Sequence, residues 1–262
     1  MNIQKLGLKD ASKVHQLIKE GMHPDNFGLT IYSTDKSIKY IGYLIESSSQ
    51  ITGYYHYGYY LGNLLVGFAE WRDFGETFFL NNIYVSQNFR GKGIGKKLIS
   101  HGINLSKKMN KKFISLDVFS NNKQAYFWYS SLGFKEIKKS IWFVSRVKMR
   151  DYYNGENLII NTDKKYIIYN YPQSLEILKQ FGFSSINLVN HYSNVSLNIG
   201  LLGRKYFRID NIKYLNDLEV IQLLKKLDPD RNIFLVCNHD EKLPTYFPFD
   251  EITGSIRMTK QV

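Results

Sequence analysis

The chain reads as an α/β (α+β) protein of two domains, residues 1–150 and 151–262, and three observations carry that reading. Helix-like and strand-like periodicities alternate through the first domain. A glycine-dense loop joins a strand directly to a helix near residue 90. After a polar linker at Asp151-Tyr152-Tyr153-Asn154-Gly155, strand and helix patterns resume.

The first domain opens with a strand over Asn2 to Leu6. Ala11, Val14, Leu17 and Ile18 then fall at helical spacing, and Gly21 is a natural stop. Met22 to Tyr32 holds Pro24 and Gly28, lacks a period and is expected to be a loop. Ser33 or Thr34 can cap a second helix bearing Ile38, Ile41, Leu44 and Ile45. Thr52 to Leu61 and Leu64 to Arg72 read as antiparallel strands turning at Gly62-Asn63. In the first of these, Tyr55, Tyr57 and Tyr59 share one face, opposite Tyr54, His56 and Tyr60. Packing explains such an aromatic strand more simply than a phenolic pocket does. Thr77 to Val85 is a further strand, with Ile83 and Val85 on one side and Tyr84 on the other.

That strand feeds Arg90-Gly91-Lys92-Gly93-Ile94-Gly95-Lys96, and Ile94, Leu98, Leu105 and Met109 continue at helical spacing. The first amides of a helix lack intrahelical partners and lie at the positive end of its dipole. Glycines there let an anion approach the backbone closely. Two common phosphate loops fail on spacing. A dinucleotide fingerprint needs a glycine at 96, where Lys stands; a nucleoside-triphosphate loop needs Ser or Thr after Lys96, where Lys97 stands. What remains is Arg90-x-x-Gly93-x-Gly95. After a strand over Phe113 to Val118 comes a second pattern, Asn122-x-x-Ala125-x-x-x-Tyr129-x-x-x-Gly133-Phe134, about 30 residues further on. Asn122, Ala125 and Tyr129 share a helical face, and Gly133 sits where that helix stops.

The two patterns, in this order and at this distance, resemble the signatures of the GNAT family of N-acetyltransferases. The resemblance covers roughly residues 1–148 and implies the GNAT acyl-CoA N-acyltransferase fold, with a mixed, mostly antiparallel sheet. It implies acetyl-CoA, as cosubstrate, lying in a V-shaped gap between the strands at Asn81–Val85 and Phe113–Val118. The backbone of Ile83, Tyr84 and Val85 would pair with its pantetheine amides. The amides of Arg90, Gly91, Lys92, Gly93, Ile94, Gly95 and Lys96 would hold its pyrophosphate, and Asn122 its arm. Tyr129 would protonate the departing thiolate. Family members often carry a carboxylate base on the strand before the loop, but Asn81 and Asn82 stand there. Glu70, Asp73 or Glu76 acting through water are the alternatives. The implied activity is transfer of an acetyl or short acyl group to a primary amine, of a small molecule or a protein. The alternative is a non-catalytic acyl-CoA sensor or interaction module.

Composition narrows the rest. With 44% hydrophobic and 22% charged residues, the chain is expected to be a soluble globular protein. No apolar run approaches the 18 or so residues of a membrane span, and the start lacks an apolar signal core. One cysteine, Cys237, fits a reducing cytoplasm, and abundant Lys, Asn, Ile and Tyr suggest a bacterial genome. The net charge of +12 is spread along the chain, which argues against a nucleic-acid tract and suits an anionic cofactor. Six scattered histidines and one cysteine predict no metal centre. A homodimer is left open.

In the second domain, strands are expected at Leu158–Ile160, Tyr166–Tyr169, Val195–Leu202, Tyr206–Ile209 and Ile233–Cys237, with a turn at Thr162-Asp163-Lys164. Helices are expected at Ser174–Phe181 and around Leu218, Ile221, Leu224 and Leu227. Phe249-Asp-Glu-Ile followed by Ser255-Ile-Arg-Met echoes Phe134-Lys-Glu-Ile followed by Arg146-Val-Lys-Met. The domain therefore reads as a degenerate second copy of the same fold, lacking glycine where a phosphate loop belongs. An unrelated α+β domain is the other reading.

Overall fold

The computed structural model describes residues 2–47, 49–152, 166–190, 192, 196–244 and 247–262. The chain forms two compact units, and neither is a contiguous stretch. One comprises Met1–Gly28, Lys36–Lys139 and Ser255–Val262; the other comprises Leu29–Asp35 and Ser140–Gly254.

In the first unit the order is β1 (Ile3–Lys5), α1 (Ala11–Gly21), α2 (Pro24–Gly28), α3 (Ser37–Glu46), α4 (Ser49–Thr52), β2 (Tyr54–Leu61), β3 (Leu64–Phe74), β4 (Thr77–Val85), α5 (Ile94–Lys108), β5 (Phe113–Phe119) and α6 (Lys123–Ser131), leading into β6 (Lys135–Lys148). Strands β1 to β4 are antiparallel neighbours in succession, and β4 runs parallel to β5. The far edge of β5 is covered by the end of the chain, Ser255–Gln261, paired antiparallel with Phe113–Phe119. Ile94, Leu98 and Ile99 of α5 are buried against Trp71, Phe78 and Leu80. Trp71 and Phe78 stack with ring centroids 5.1 Å apart. Gly102 is needed there: a Cβ on it would lie 2.0 Å from the Trp71 ring. Tyr59 is buried in the same core, while Tyr55 and Tyr57 pack edge-on against Phe78 and His101. The aromatic strand is thus a packing face, as alternation suggested.

Two local expectations give way. Pro24–Gly28 forms the short helix α2 within the expected loop. Neither Ser33 nor Thr34 caps α3: their hydroxyls bond the carbonyls of Thr30 and Ile31 in their own turn, and the helix begins at Ser37.

The second unit contains β7 (Tyr166–Ile168), α7 (Tyr171–Phe181), β8 (Phe183–Asn190), β9 (Ser196–Leu202), β10 (Tyr206–Ile209), α8 (Leu218–Leu227), β11 (Asn232–Asn238) and the start of β12 (Phe249–Gln261). Strands β7 to β10 are antiparallel neighbours, β10 is parallel to β11, and β11 is antiparallel to residues 140–148 of β6. This is the pairing pattern of the first unit, step for step. Strand β8 lies in a stretch for which no strand was expected. The expected strand Leu158–Ile160, the turn Thr162-Asp163-Lys164, Val195 and the linker residues Tyr153–Gly155 lie outside the described residues.

The sequence boundary at 150 fails for a specific reason. The stretch resembling the first domain's last strand, Ser140 to Lys148, pairs with β11, and the similar stretch from Ser255 takes the place beside β5. Ile256 and Met258 are buried in the first unit's core. Burying two such side chains contributes about 3–6 kcal/mol. Arg257 adds a two-pronged pair to Asp117, at 2.7 and 2.8 Å. A protein ending at Gly254 is therefore expected to lose most of the first unit's stability, although every sequence motif is intact. A melting point lowered by less than about 5 °C, measured by scanning calorimetry, would contradict this.

Candidate active site

The site begins with one extra residue in β4. On β3, Glu70 lies opposite Asn82 but the next residue, Trp71, lies opposite Leu80, so Asn81 has no opposite number. Such a bulge bends its strand and shifts the side-chain alternation. The shift is visible in the packing: Phe78 and Leu80 face the α5 core before the bulge, and Ile83 and Val85 face it after. The pairing of β4 with β5 stops at Leu80–Leu116, immediately before the bulge. Beyond it, β4 keeps β3 on one edge through Ile83, Tyr84 and Val85. Its other edge has no strand partner among the described residues. The two parallel strands are therefore paired only up to the bulge.

At the open end of β4 the chain turns through Gln87–Phe89 into the glycine loop. Gly91 and Gly93 have φ of 75° and 76°, and a Cβ on either would stand in open space. Gly93 is the residue before α5, and no side chain caps that helix start. The first intrahelical bond reported at the junction is Lys97 N–H to the Gly93 carbonyl, 3.1 Å. The amides of Ile94, Gly95 and Lys96 are thus left to an external acceptor. Gly95 fits close packing: its Cβ would lie 3.2 Å from the Trp128 ring of α6. Of the loop cations, Arg90 turns its Nε back to the Val85 carbonyl at 3.1 Å, and Lys92 sits 5.1 Å over the Phe89 ring. Lys97 donates to the Tyr59 hydroxyl at 3.2 Å.

Asn122 is the N-cap of α6, its Oδ1 accepting the Ala125 N–H at 3.1 Å. Only its Nδ2 is left to donate to a ligand. Tyr129, one face further along α6, is buried beside Phe134 and Trp128. Burial raises its phenol pKa, and the nearby Tyr84 raises it further. Tyr84 is raised likewise, by burial and then by Glu70. Its ring lies against Gly21 of α1, where a Cβ would come within 2.2 Å. Both phenols hold their protons firmly at neutral pH. The sequence assigned only the backbone of Tyr84; the signal for its side chain was its placement on the face opposite Ile83 and Val85.

The carboxylates do not stand as expected. Glu70 is 3% exposed, not a solvated strand end. Its Oε1 accepts from Arg72 Nε at 3.1 Å, Arg72 NH2 at 3.0 Å and Asn81 Nδ2 at 2.9 Å; its Oε2 accepts from Asn82 Nδ2 at 2.7 Å. Burial pushes its pKa up, but Arg72, His56 and the two amides outweigh this and hold it below its ordinary value. A carboxylate so satisfied is a poor base, through water or directly. Asp73 is bound by Lys111 at 2.6 Å and Glu76 pairs with Lys112, both at the closed end of the β3–β4 hairpin. His56, directly opposite Glu70 on β2, is buried, and burial lowers its pKa against the pull of Glu70. It is neutral near pH 7. Among the described residues, no three His, Cys, Asp or Glu side chains cluster as a metal site would need.

The model of the acetyltransferase (GNAT) family matches residues 25–134, the stretch that holds the bulge, the loop and α6 up to Phe134. Over this stretch the chain is similar to GNAT acetyltransferases. An uncharacterized N-acetyltransferase of Methanocaldococcus jannaschii is 40% identical over 71 residues, 26% of this chain and 31% of that protein. The chain thus spans less than a third of that relative. Two solved structures extend the likeness of fold to the whole chain. A tandem GNAT protein from the clavulanic acid biosynthesis pathway, without AcCoA, has a TM-score of 0.67 at 11% identity, covering 99% of this chain and 98% of its own. A GNAT-type N-acetyltransferase of Sphaerobacter thermophilus has a TM-score of 0.61 at 11% identity, covering 99% and 95%. At that identity the likeness is of fold alone.

The second unit differs from the first at the matching helix start. The stretch between β10 and α8 contains no glycine, and Asp217 caps α8 with its own carboxylate, accepting the Glu219 N–H at 3.1 Å. Tyr166 donates to the same carboxylate at 2.8 Å. A negative charge already occupies the place where a phosphate would bind. Across β11 and β12 no counterpart of α6 is present among the described residues.

The buried charges of the first unit set its acid sensitivity. His56 and Glu70 both have folded pKa values below their ordinary 6.5 and 4.5, so the unfolded chain takes up protons first as pH falls. Stability is expected to fall below pH 6.5 through His56, and again below pH 4.5 through Glu70. Glu70→Gln should cost on the order of 3 kcal/mol at pH 7 by leaving Arg72 without its buried partner, and this difference should shrink below pH 4.5. Denaturant titrations across that range read both; a wild-type–variant difference independent of pH would exclude the assignment.

Proposed function

We propose that the chain is an N-acyltransferase that moves an acetyl or short acyl group from its CoA thioester to a primary amine, by direct attack in a ternary complex. The observation that carries this reading is the divergence of β4 from β5 at the Asn81 bulge, ending on a glycine loop with three unclaimed helix amides. The residues fit acetyl-CoA. A pantetheine arm is an amide chain of a length to run along the unpaired edge of Ile83, Tyr84 and Val85. A pyrophosphate suits the amides from Arg90 to Lys96, where positive φ at Gly91 and Gly93 keeps side chains out of the approach. Asn122 Nδ2 would donate to the arm.

When bound, the cosubstrate supplies an acyl group on a good thiol leaving group. Tyr129 holds a proton for the sulfur as the C–S bond breaks and the N–C bond forms. A thiol of pKa about 8.5 needs little help, so this phenol contributes modestly. Cys237 plays no part: it is buried in the second unit and its thiol is pushed up to about 11 by burial and Glu241. The amine is the difficult partner, since an alkyl ammonium costs roughly 4–5 kcal/mol to deprotonate at pH 7. With Asn81 and Asn82 on β4 and Glu70 fully engaged, none of the expected carboxylates among the described residues is a ready base. The amine is therefore taken up in its neutral form. The same lack of a base favours, as second reading, an acyl-CoA sensor that does not turn over. The acceptor is an amine-bearing small molecule or a protein amine.

Release of free CoA from acetyl-CoA should rise with primary amines, and kcat/KM for the amine should climb about tenfold per pH unit below the amine's pKa; CoA release that no amine stimulates would support the sensor. Gly93→Val, a β-branched residue at positive φ, should abolish CoA binding by calorimetry. Tyr129→Phe should lower turnover roughly ten- to hundredfold with CoA affinity unchanged. Undiminished CoA binding in the Gly93 variant would refute the loop assignment.

A further inference from the structure

Asn81 and Asn82 make a pair of contacts that a regular strand does not allow. Successive side chains of such a strand point to opposite faces. Yet Asn81 Nδ2 and Asn82 Nδ2 both reach Glu70, at 2.9 and 2.7 Å. The bulge makes this possible, because Asn81 is the extra residue beside the Glu70–Asn82 pair. Without it, one of the two amides would turn to the α5 side, where Ile83 and Val85 pack. The carboxylate meets the pair oxygen by oxygen: Oε1 takes Asn81 and Oε2 takes Asn82. Glu70 is 3% exposed, and Arg72 balances its charge at 3.0 Å. A carboxylate has two accepting oxygens and nothing to donate, so it fits two adjacent amide donors. A glutamine would offer one oxygen and turn its own NH2 toward the other amide. The backbone beyond depends on this arrangement. Past the bulge, Ile83, Tyr84 and Val85 pair with Ala69, Phe68 and Gly67 of β3, while the β4–β5 pairing has ended at Leu80–Leu116. A slip of one residue would exchange which amides and carbonyls of that stretch face β3 and which face the open edge.

We infer that Glu70 is a positioning residue for acyl-CoA: its carboxylate pins the Asn81 bulge and so presents the Ile83–Val85 edge to the pantetheine arm in one register. This rests on the acyl-CoA reading of that edge. Glu70 acts here through β4, not on the reacting atoms. The inference divides the cosubstrate into two parts. The arm is met by β4 and depends on Glu70. The pyrophosphate is met by the amides at the start of α5, which Ile94 and Leu98 anchor in the core, and it does not depend on the register of β4.

The experiment is calorimetric titration of CoA and of 3′-phospho-ADP, which keeps the pyrophosphate and lacks the arm, into the full chain at pH 7. Wild type and Glu70→Gln are compared, with circular dichroism confirming that both are folded. Wild type should hold CoA more tightly than 3′-phospho-ADP. Glu70→Gln should lose about tenfold or more in CoA affinity, with 3′-phospho-ADP held within about twofold of wild type. A role in stability alone would not separate the two ligands. Should Glu70→Gln fail to fold, Asn81→Ala takes one donor from the carboxylate and leaves its pairing with Arg72; it should show the same selective loss of CoA, by about threefold or more. CoA affinity unchanged in the folded variant, or equal losses for CoA and 3′-phospho-ADP, would overturn the inference and leave the acyl-CoA reading standing. Wild type that takes up neither ligand, or holds CoA no tighter than 3′-phospho-ADP, would defeat the acyl-CoA reading of the edge and this inference with it.

Discussion

One inserted residue, Asn81, sets the geometry of the whole site. A regular β4 would stay paired with β5 to its end and would keep Ile83 and Val85 off the α5 core, because a shift of one residue inverts every side chain that follows. The bulge corrects the alternation and opens the gap in the same step. Glu70 holds it in place, taking one amide N–H from Asn81 and another from Asn82 while Arg72 neutralises it. A carboxylate on β3 is thus committed to the shape of β4. That commitment explains why the site can lack a base without lacking charge.

The two units carry the same strand pairing, yet only the first leaves its helix start uncapped among the described residues. The difference lies at the start of the helix that joins the parallel pair. In the first unit, Gly93 leaves that helix start uncapped, and its dipole and amides face outward. In the second, Asp217 satisfies them, and β10 ends at Ile209 without running on past its partner. A capped helix is the more stable one, by about 1 kcal/mol. A copy freed from binding has every reason to acquire the cap. The uncapped helix of the first unit has no such structural gain, which fits a start reserved for a ligand.

Much of this was legible in the residues. Gly93 and Gly95 beside Ile94 and Leu98 announced a loop-to-helix junction, and Asn122, Ala125 and Tyr129 announced a second helix beside it, because such spacings reflect local geometry. The echo between Ser255-Ile-Arg-Met and Arg146-Val-Lys-Met was equally visible. What it could not show is which strand goes to which sheet. Both stretches alternate apolar and polar residues, so either satisfies the same edge, and only long-range pairing decides. Glu70 was read as a base acting through water, and its hold on the bulge was missed for a similar reason. Its neighbours in sequence, Ala69 and Trp71, point away from it, while His56, Asn81 and Asn82 reach it only across strands.

The electrostatics of the gap are consistent with chemistry on a neutral nucleophile. Its two phenols, Tyr84 and Tyr129, are raised by burial and remain protonated; its histidine, His56, is lowered by burial and remains uncharged; its carboxylate is matched by Arg72. A free negative charge there would hold an ammonium in its protonated, unreactive form. A free positive charge would repel it from the mouth. With these four groups either neutral or paired, a low-dielectric wall would lower the pKa of an amine that entered, as burial lowers that of His56. Desolvation would thus serve in place of a base for an amine that an uncharged acceptor orients.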